Sequence, residues 1–597
     1  MTGRRRSVTA VLAIGVLAFS AACAPGNAGG GGGGNAPASS APTSPTETFV
    51  APKVTIGTAE DSKGPAPEPE GVVKGGTVTM LDRDDFAHLD PGQIYVNTEG
   101  NVAQLYARGL TGYKRVGKGE YKLVGDLATD TGTVSDGGRT WTFTLKDGVK
   151  WQDGKPITSE DVKWTIERLF ASHITYGPAY IQQWLTGDED YKKSYKGPYD
   201  GKRLDAVETP DEKTVVFKFK EPHADANFAL AMAGYYIVPK HKDTKEKYDK
   251  EPFSSGPYII KSHTPDKSME LERNPHWDPA TDPIRGAYPD KWRFEFGQEA
   301  LQITDRFIAD AGADKTAMSF YSYVAPERLQ QVLGDPNLKS RLLRQPSPYG
   351  NYYYFNLDRV KDIKHRQAIN IAWPTRQLQQ IEGGPAAKVI STTILNPVVA
   401  GWQDFDVFGM KEKPDGDIER AKQLMAESSD PNPTIVYAYN QTPTQERMTV
   451  VIKNQLAKIG INVVPKPLAR KTYYDQISKV DNGFDMYWGG WGQDWPSGST
   501  VFPVIFGPVR DGGYNQSHLR DPEIDAEMKR IMSLEDANEA NAAWAALDKK
   551  IMEEITPLVP DLNDIGTMLH GSLIGGAEID PQSWTVSPNT IFVKQQQ

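Results

Sequence analysis

The residues best suited to chemistry lie in one short stretch near the carboxyl end, GGWGQDWPSGS at 489–499. A single acid, Asp494, stands there between two tryptophans, and Gly490 and Gly492 flank the first of them, Trp491. Glycines let another backbone come close, and a carboxylate forms a charge-assisted hydrogen bond with a cation. The stretch indicates either a surface that binds the backbone and charge of a ligand, or an aromatic edge strand with Asp494 capping a turn.

The sequence lacks the patterns of catalytic and metal sites. Its nine histidines are scattered singly, and it has one cysteine, so no metal-ligand spacing occurs. A G-x-S-x-G nucleophile motif is missing. The carboxylate pairs Asp84-Asp85 and Glu160-Asp161 are adjacent in sequence, so their side chains point apart and are unsuited to acid–base work. We therefore predict no catalytic residues, no metal and no cofactor.

One stretch nearly spells a phosphate-binding loop. In TGYKRVGKGE, Gly112 is followed after four residues by Gly117 and Lys118. The next residue is Gly119 instead of Ser or Thr, and YKLV after it is typical of a strand where that motif requires a helix. We predict a hairpin turn, and no ATP hydrolysis by this chain.

Strands and a capped helix are predicted around these motifs. Residues 77–81 are typical of a strand that runs into a loop at 89–91, Leu-Asp-Pro. Apolar residues alternate with threonine over 141–145, which predicts a strand with one buried face. Thr158 has the features of a helix N-cap, with Asp161 at the third helical position. This succession of strands, turns and helices indicates an α/β fold.

Composition narrows the protein class. The chain has 597 residues, 38% hydrophobic and 24% charged, which suits at least two domains. Its net charge of -10, with no dense stripe of Lys and Arg after the first residues, argues against nucleic acid as a partner.

The amino terminus has the pattern of an export signal. Residues 1–22 combine three arginines with an apolar run that is short for a membrane span, and small residues precede Cys23. This arrangement resembles the bacterial lipobox, with Ser20 in place of the common leucine, and implies that Cys23 carries a diacylglycerol. The alternative is an ordinary signal peptide with an unrelated cysteine. Residues 23–72, rich in Gly, Ser and Pro, are predicted to form a disordered tether after the lipidated cysteine.

The body of the chain resembles the family 5 extracytoplasmic solute-binding proteins of ABC importers, which include oligopeptide, dipeptide and nickel receptors. The passage SDGGRTWTFTLKDGVKWQDGKPITSEDVKWTIERLF resembles the signature region of that family. Further similar stretches follow in order at 254–279, 352–378, 417–428 and 451–468. The resemblance extends from about Lys74 to the carboxyl end. One departure is Pro374, where the family usually has an acid.

The resemblance implies a two-lobed α/β fold of the periplasmic-binding-protein type, with a hinge and an extra domain inserted in the first lobe. The implied boundaries place the first lobe at 73–108, 236–349 and 566–597, the inserted domain at 109–235, and the second lobe at 350–565. Each lobe would move as a rigid body about the crossings between them.

The resemblance also assigns roles to the stretch at 489–499. In the oligopeptide branch, a tryptophan three residues before an aspartate marks a strand that pairs with the bound peptide, and the aspartate binds the α-ammonium group of that peptide. Trp491 and Asp494 have this spacing, with Gly490 and Gly492 beside the tryptophan. Strand-like pairing recognises a peptide main chain without selecting its side chains.

The resemblance implies a ligand cleft between the lobes, and a second segment of this sequence falls on its opposite wall. Tyr95, Val96 and Asn97 fall where such receptors contact the peptide from the first lobe. Trp488 stands where a known oligopeptide pattern has an arginine able to meet the carboxylate of the ligand. That leaves open how the carboxyl end is held, and whether an uncharged ligand stacks on aromatic rings.

The leading hypothesis is a monomeric, lipid-anchored receptor that captures oligopeptides outside the cell membrane. Its partners would be the permease subunits of an ABC importer and their cytoplasmic ATPase. An oligosaccharide receptor of the same fold is the alternative among binding proteins, because aromatic residues can stack on sugar rings. Among enzymes, the alternative is a secreted hydrolase that uses carboxylates in the cleft.

Overall fold

The computed structural model describes residues 53–580 and 583–595. Cys23 and the predicted signal peptide lie outside the described residues. Within the described part of the chain, no helix is both long enough and apolar enough to cross a lipid bilayer. We use the names first lobe, inserted domain and second lobe for the ranges predicted above, and those boundaries stay a prediction.

The strands of the described residues are numbered in chain order. They are β1 Lys53–Ile56, β2 Thr77–Leu81, β3 Thr111–Gly117, β4 Glu120–Gly125, β5 Thr133–Ser135, β6 Thr140–Thr144, β7 Val207–Glu208, β8 Thr214–Lys218, β9 Tyr258–Thr264, β10 Ser268–Arg273, β11 Lys291–Glu295, β12 Ala317–Met318, β13 Leu342–Pro346, β14 Tyr349–Phe355, β15 Lys388–Ile390, β16 Thr434–Asn440, β17 Asn462–Leu468, β18 Met486–Gly492, β19 Leu558–Pro560, β20 Leu562–Leu569, β21 Ile574–Gly575, β22 Ile579–Asp580, β23 Thr585–Val586 and β24 Phe592–Val593.

The α-helices are numbered in the same way, and short 3-10 turns connect several of them. They are α1 Asn97–Tyr106, α2 Ser159–Arg168, α3 Tyr180–Thr186, α4 Tyr191–Ser194, α5 Ala226–Ala229, α6 Ala300–Ala309, α7 Pro326–Gly334, α8 Pro336–Lys339, α9 Ile363–Ile371, α10 Thr375–Ile381, α11 Ile418–Ala426, α12 Pro443–Ala457, α13 Tyr473–Ile477, α14 Phe502–Ile505, α15 Pro522–Met532 and α16 Ala537–Glu554.

The second lobe is built on a five-stranded sheet with the order β17-β16-β18-β14-β19. β16 is parallel to β17 and β18, while β14 is antiparallel to β18 and β19. Helices cover the sheet, and Tyr353, Ile452, Met486 and Trp544 belong to one buried apolar cluster. This mixed sheet presents the carboxyl end of β18 at one edge of the lobe.

The first lobe contains a second five-stranded sheet, of order β12-β2-β11-β10-β9. β2 spans the residues predicted from the sequence, and its Val78 and Met80 are fully buried. A small sheet, β13-β20-β15, pairs strands from either side of the predicted lobe boundary. The chain therefore passes between the lobes through paired strands, which limits where a hinge can bend.

The inserted domain confirms three local predictions. The strand predicted over 141–145 is β6, in a sheet of order β5-β6-β8-β7, with Trp141 and Phe143 buried. Thr158 caps α2 in a reciprocal capping box with Asp161. β3 and β4 pair as an antiparallel hairpin, so the near-match to a phosphate-binding loop is a turn.

The predicted tether extends too far along the chain. Residues Lys53–Ile56 form β1, which pairs in parallel with β4. Asp61 then bonds with Lys122 Nζ at 2.8 Å, and Ser62 is fully buried. The prediction of disorder is therefore wrong for 53–72, because the β-branched run VTI and these polar contacts attach the segment to the hairpin. We call residues 53–72 the strap.

Buried charges attach the inserted domain to the first lobe. The Arg168 guanidinium of α2 donates two hydrogen bonds of 2.8 Å to the Asp90 carboxylate, and both side chains are fully buried. Asp126 of the inserted domain pairs with Arg108 at 2.7 Å and with Arg285 at 2.9 Å. Breaking buried pairs leaves uncompensated charge, so these two bodies are expected to move together.

A buried acid in the first lobe makes stability depend on pH. Asp82 follows β2; Ser319 Oγ donates to its Oδ1 at 2.6 Å, and within the described residues its Oδ2 has no partner. Burial raises the pKa of Asp82 from 3.8 to about 7. The folded protein thus keeps a proton that the unfolded chain releases, and the free energy of unfolding falls as pH rises from about 4 to about 7.

We expect Asp82→Asn to remove this contribution, because an amide, like the protonated acid, carries no charge. The variant should match the parent near pH 4 and be the more stable protein at pH 8. The measurement is the difference in free energy of unfolding between the two proteins from pH 4 to 8. Asp481→Asn, which changes an exposed acid of the second lobe, is the control and should keep the slope of the parent. A difference that stays constant with pH would contradict the assignment.

Candidate functional site

The strand that leads to Asp494 has an open edge. β18 pairs with β14 along its whole length, from Met486 to Gly492. Its other neighbour, β16, pairs only with Met486 and Tyr487. In the described part of the chain, residues 488–492 are therefore paired with a strand on one side only. An exposed strand edge offers N–H and C=O groups that an extended ligand can pair with.

The glycines of β18 serve packing within the second lobe. A Cβ atom on Gly490 would come within 2.8 Å of the Gly350 carbonyl oxygen. A Cβ atom on Gly492 would come within 2.1 Å of the Tyr349 ring. Close approach of β14 therefore already requires glycine at both positions, and the close approach of a ligand backbone stays a prediction.

The two tryptophans of β18 are half-buried against the core of the second lobe. Trp491 Nε1 donates to the Thr500 carbonyl at 2.7 Å, and its ring lies 4.8 Å from that of Tyr514. The Trp488 carbonyl accepts a 2.6 Å hydrogen bond from the Tyr473 hydroxyl. The predicted residues Trp488 and Trp491 thus pack their side chains against the core of the second lobe, and only part of each side chain is open to a ligand.

Asp494 lies where three parts of the protein meet. Its Oδ1 accepts a 2.9 Å hydrogen bond from the Tyr95 hydroxyl of the first lobe, and its Oδ2 accepts one from the Tyr180 hydroxyl of the inserted domain. Burial raises the pKa of Asp494, while the hydrogen bonds from Tyr180 and Tyr95 oppose that rise. The carboxylate is therefore poorly hydrated, which strengthens its interaction with any cation that reaches it.

The segment predicted on the opposite wall is only partly extended. Tyr95 and Val96 are 40% and 45% exposed, and Val96 has extended backbone angles. Asn97 is the first residue of α1, so it continues no strand. Its Nδ2 donates to Tyr349 Oη at 2.8 Å and to the Ser583 carbonyl at 2.9 Å. The structure thus brings Tyr95 to Asp494, whereas Asn97 bonds to Tyr349 and Ser583 within the first lobe.

A cavity of about 130 Å³, open to solvent, extends from Asp494 between the first lobe and the inserted domain. Its lining includes Tyr95, Val96 and Asn97 together with Tyr113 and Met232. Trp488, Gly490, Trp491 and Gly492 do not line it. The predicted residues therefore divide into a group around the cavity and a group along the strand, and Asp494 belongs to both.

Sequence reasoning missed all of the tyrosines around this acid except Tyr95. Tyr180 opens α3 and stands 314 positions before its partner Asp494, with no local pattern that marks it. Other exposed tyrosines contact the predicted residues: Tyr176 packs edge-on to Tyr95, and Tyr349 bonds to Asn97. Exposed large aromatics in one place are typical of a binding surface, and their exposure is visible only in the fold.

This arrangement can bind and orient a cationic group. It offers one half-buried carboxylate and two hydroxyl groups, which can donate or accept. Within the described residues, no cluster of His, Cys, Asp or Glu has the geometry of a metal site. The site thus has the components of recognition, and its carboxylate lies where the second lobe, the first lobe and the inserted domain meet.

Comparison with known proteins gives a family and a fold. The model of the family described as "Bacterial extracellular solute-binding proteins, family 5 Middle" matches residues 122–513 of this chain. The Escherichia coli protein described as "Probable D,D-dipeptide-binding periplasmic protein DdpA" is 26% identical over 477 residues, covering 78% of this chain and 84% of that protein. Salmonella typhimurium SapA, a "Peptide transport periplasmic protein", is 22% identical and covers 80% of this chain and 85% of its own.

Solved structures agree with the predicted α/β fold of two lobes. "Clavulanic acid biosynthesis oligopeptide binding protein 2" superimposes with a TM-score of 0.77 at 27% identity, covering 90% of this chain and all of that one. The unliganded open form of the murein tripeptide binding protein MppA gives a TM-score of 0.73 at 21% identity, covering 88% and 99%. The match over 122–513 spans more than half of the sequence, and the chain therefore belongs to the family 5 bacterial extracellular solute-binding proteins.

Proposed function

We propose that this protein is the lipid-anchored receptor of an ABC importer, and that it captures oligopeptides in the cleft between its lobes and delivers them to the permease. The observation that carries the proposal is Asp494, a half-buried carboxylate at the end of an open strand edge. Relatives whose names describe peptide or dipeptide binding support the peptide class.

In this proposal the α-ammonium group of the peptide binds to Asp494. The carboxylate supplies a charge-assisted hydrogen bond, which fixes the direction of the peptide. The hydroxyls of Tyr95 and Tyr180 already point to Asp494, and each oxygen keeps lone pairs that can accept from the ammonium. Three donors on the ligand would thus meet acceptors from the second lobe, the first lobe and the inserted domain.

The peptide backbone would then lie along the open edge of β18. The unpaired side of residues 489–492 carries backbone groups that an added strand can pair with, whereas the Trp488 carbonyl already accepts from Tyr473. Trp488 stands where an arginine could bind the carboxylate of the peptide. Recognition in this proposal therefore rests on the amino end and the backbone of the peptide. That mode suits ligands of varied sequence, since backbone groups are common to all peptides.

Ligand identity is the direct test. Mass spectrometry of material that copurifies with the native protein should find peptides of mixed sequence with free amino ends. Calorimetric titration should then show binding of a defined peptide mixture, and no binding of cello- or chito-oligosaccharides. Copurified sugars, or tight binding of an oligosaccharide, would favour the oligosaccharide receptor. Release of product from either ligand class would indicate a hydrolase.

The lipid anchor has a separate test at Cys23. Because the chain has a single cysteine, Cys23→Ala leaves no thiol to accept a diacylglycerol. We expect unprocessed precursor, or protein released into the medium, as measured by cell fractionation and intact mass. Cys23→Ser, close to cysteine in size, is the matched control and should fail in the same way. Variants that stay attached to the membrane and are cut at the same site would show that the lipobox assignment is wrong.

A further inference from the structure

The cavity beside Asp494 is bounded by three segments of the chain. One face of α1 lines it with residues at helical spacing, from Asn97 to Gln104. Residues 231–234, with the sequence AMAG, line a second side, and Asp580, near the carboxyl end of the chain, lines a third. Alanine and glycine on the second side leave space that a ligand group can fill.

Asp494 is held at the edge of the cavity by the next residue, Trp495. Trp495 is only 2% exposed, and its ring packs edge-on to Tyr180 at 4.9 Å. Its Nε1 donates to Asp225 Oδ2 at 2.7 Å, and the Ser499 hydroxyl donates to the same oxygen. These contacts hold the backbone that carries Asp494, so the carboxylate has a defined position beside the cavity.

The charge that the cavity presents is negative. Two carboxylates line it, those of Asp494 and Asp580, and among the described lining residues Arg285 is the one cation. The Arg285 guanidinium lies 2.9 Å from Asp126 and 3.2 Å from Asp282, so buried acids already match its charge. A concave site lined by one sign of charge attracts a group of the opposite sign, here a cation.

The buried charges behind this arginine leave the two acids of the cavity in excess. Arg108 lies 2.7 Å from Asp126 and 3.6 Å from Asp282, so two arginines meet two carboxylates. Lys146 adjoins them and donates to backbone carbonyls, and burial lowers its pKa to about 7. Lys146 does not line the cavity, and at neutral pH it adds only part of one positive charge.

A buried hydroxyl in the cavity wall lacks a hydrogen bond. Tyr113 lines the cavity, and within the described residues its Oη has no hydrogen-bond partner. Burial raises the pKa of Tyr113, and the negative charge of Asp580 raises it further, which indicates that these two groups lie near each other. A donor group of a ligand in the cavity would give this hydroxyl the partner that it lacks.

We propose that this cavity receives the side chain of the first residue of the bound peptide and selects arginine or lysine there, with Asp580 as the specificity-determining acid. The inference rests on the proposed function, in which the α-ammonium group binds Asp494. Residues 488–492 of β18 do not line the cavity, so the peptide backbone stays outside it and the first residue is the part nearest to it. A basic side chain brings a charge to Asp580 and N–H donors to Tyr113 Oη, and later positions of the peptide stay unrestricted.

Two pentapeptides that differ only in their first residue test this pocket. One begins with arginine and the other with citrulline, which has nearly the shape of arginine but no charge, and alanines follow in both. In calorimetric titrations, the parent should bind the arginine peptide about 10-fold more tightly, the effect of a hydrogen bond to a charged group. Asp580→Asn should bring the two affinities close together by weakening binding of the arginine peptide alone.

Two further variants separate charge from hydrogen bonding. Glu251→Gln removes the same charge at an exposed position that does not line the cavity, so the difference between the peptides should persist. Tyr113→Phe removes only the hydroxyl. It should weaken binding of both peptides by about 3-fold, because both first side chains carry N–H donors, and leave the affinity for an all-alanine pentapeptide unchanged.

Each outcome decides the proposal. Equal affinities of the parent for the arginine and citrulline peptides would overturn it, and so would a difference that persists in Asp580→Asn. If Asp580→Asn does not fold, the comparison of the two peptides on the parent and on Tyr113→Phe carries the test. Binding of all three peptides without preference would refute the pocket and leave the peptide receptor standing. If no peptide with a free amino end binds, the proposed function fails, and the pocket assignment fails with it.

Discussion

Asp494→Asn is expected to weaken binding of a free peptide by about 30-fold to several thousand-fold. The substitution keeps the shape of the side chain and removes its charge. An ammonium group bound in the closed cleft would then lack its counter-charge, which costs on the order of 2 to 5 kcal/mol. The protein should still fold, because one of the Tyr95 and Tyr180 hydroxyls can donate to the amide oxygen and the other can accept from the amide NH2 group.

The N-acetylated form of the same peptide is the matched control. It has no ammonium group, so it should bind the parent protein weakly and lose little further affinity in Asp494→Asn. Calorimetric titration of both proteins with both peptides gives the coupling between the acid and the ammonium. Equal losses of affinity for the two peptides would show that Asp494 acts through structure instead.

The same acid predicts how affinity changes with pH. Burial raises the pKa of Asp494 in the empty site, whereas a bound ammonium favours the ionised form. Affinity for a free peptide should therefore fall on acidification, beginning at pH values above those at which an exposed aspartate takes up a proton. In Asp494→Asn this fall should be absent.

Arg168→Met is expected to destabilise the protein by about 3 to 5 kcal/mol, the cost of breaking a buried ion pair. Asp90 would be left buried and charged, without the two 2.8 Å hydrogen bonds that it now accepts, and the buried Asp243 would lose the same counter-charge at 3.5 Å. Asp90 also caps the turn at Pro91–Gln93 that leads to Tyr95, so the opposite wall of the cleft should loosen. Chemical unfolding followed by circular dichroism measures the loss.

An exposed pair gives the control for this experiment. Arg328 lies 2.7 Å from Asp305, and both side chains are largely exposed to solvent. Arg328→Met should cost about 1 kcal/mol or less. Adding Asp90→Leu to Arg168→Met should recover part of the stability, because it removes one of the two stranded charges and leaves that of Asp243. Similar losses in the buried and exposed variants would refute the role given to burial.

Local patterns predicted the local elements well. The strand at 141–145 follows from alternation, the strand at 77–81 from a run typical of a strand that enters a loop, and the start of α2 from the Thr158 cap, because a few neighbouring residues determine each one. The short strand β1 was missed since its VTI run is embedded in a stretch rich in Pro and Glu. A four-residue strand carries little signal beside such composition.

The partners of the candidate site could not be predicted from spacing. Tyr180 bonds to a residue 314 positions away, and Asp225 bonds to one 270 positions away. Neither has a neighbour in sequence that indicates its partner. The resemblance to the family supplied Asp494 and Tyr95, but the packing of the inserted domain against residues 495–499 depends on the assembled chain.

The pairing of β1 also protects the protein from self-association. In the sheet of order β1-β4-β3, β1 covers the outer edge of β4. Without it, the unpaired N–H and C=O groups of β4 would form a template for strands of other molecules. The described part of β1, Lys53–Ile56, is short and carries a lysine, two features that discourage edge-to-edge aggregation. A recombinant form that begins at residue 73 would expose this edge, whereas one that begins at residue 53 would keep it covered.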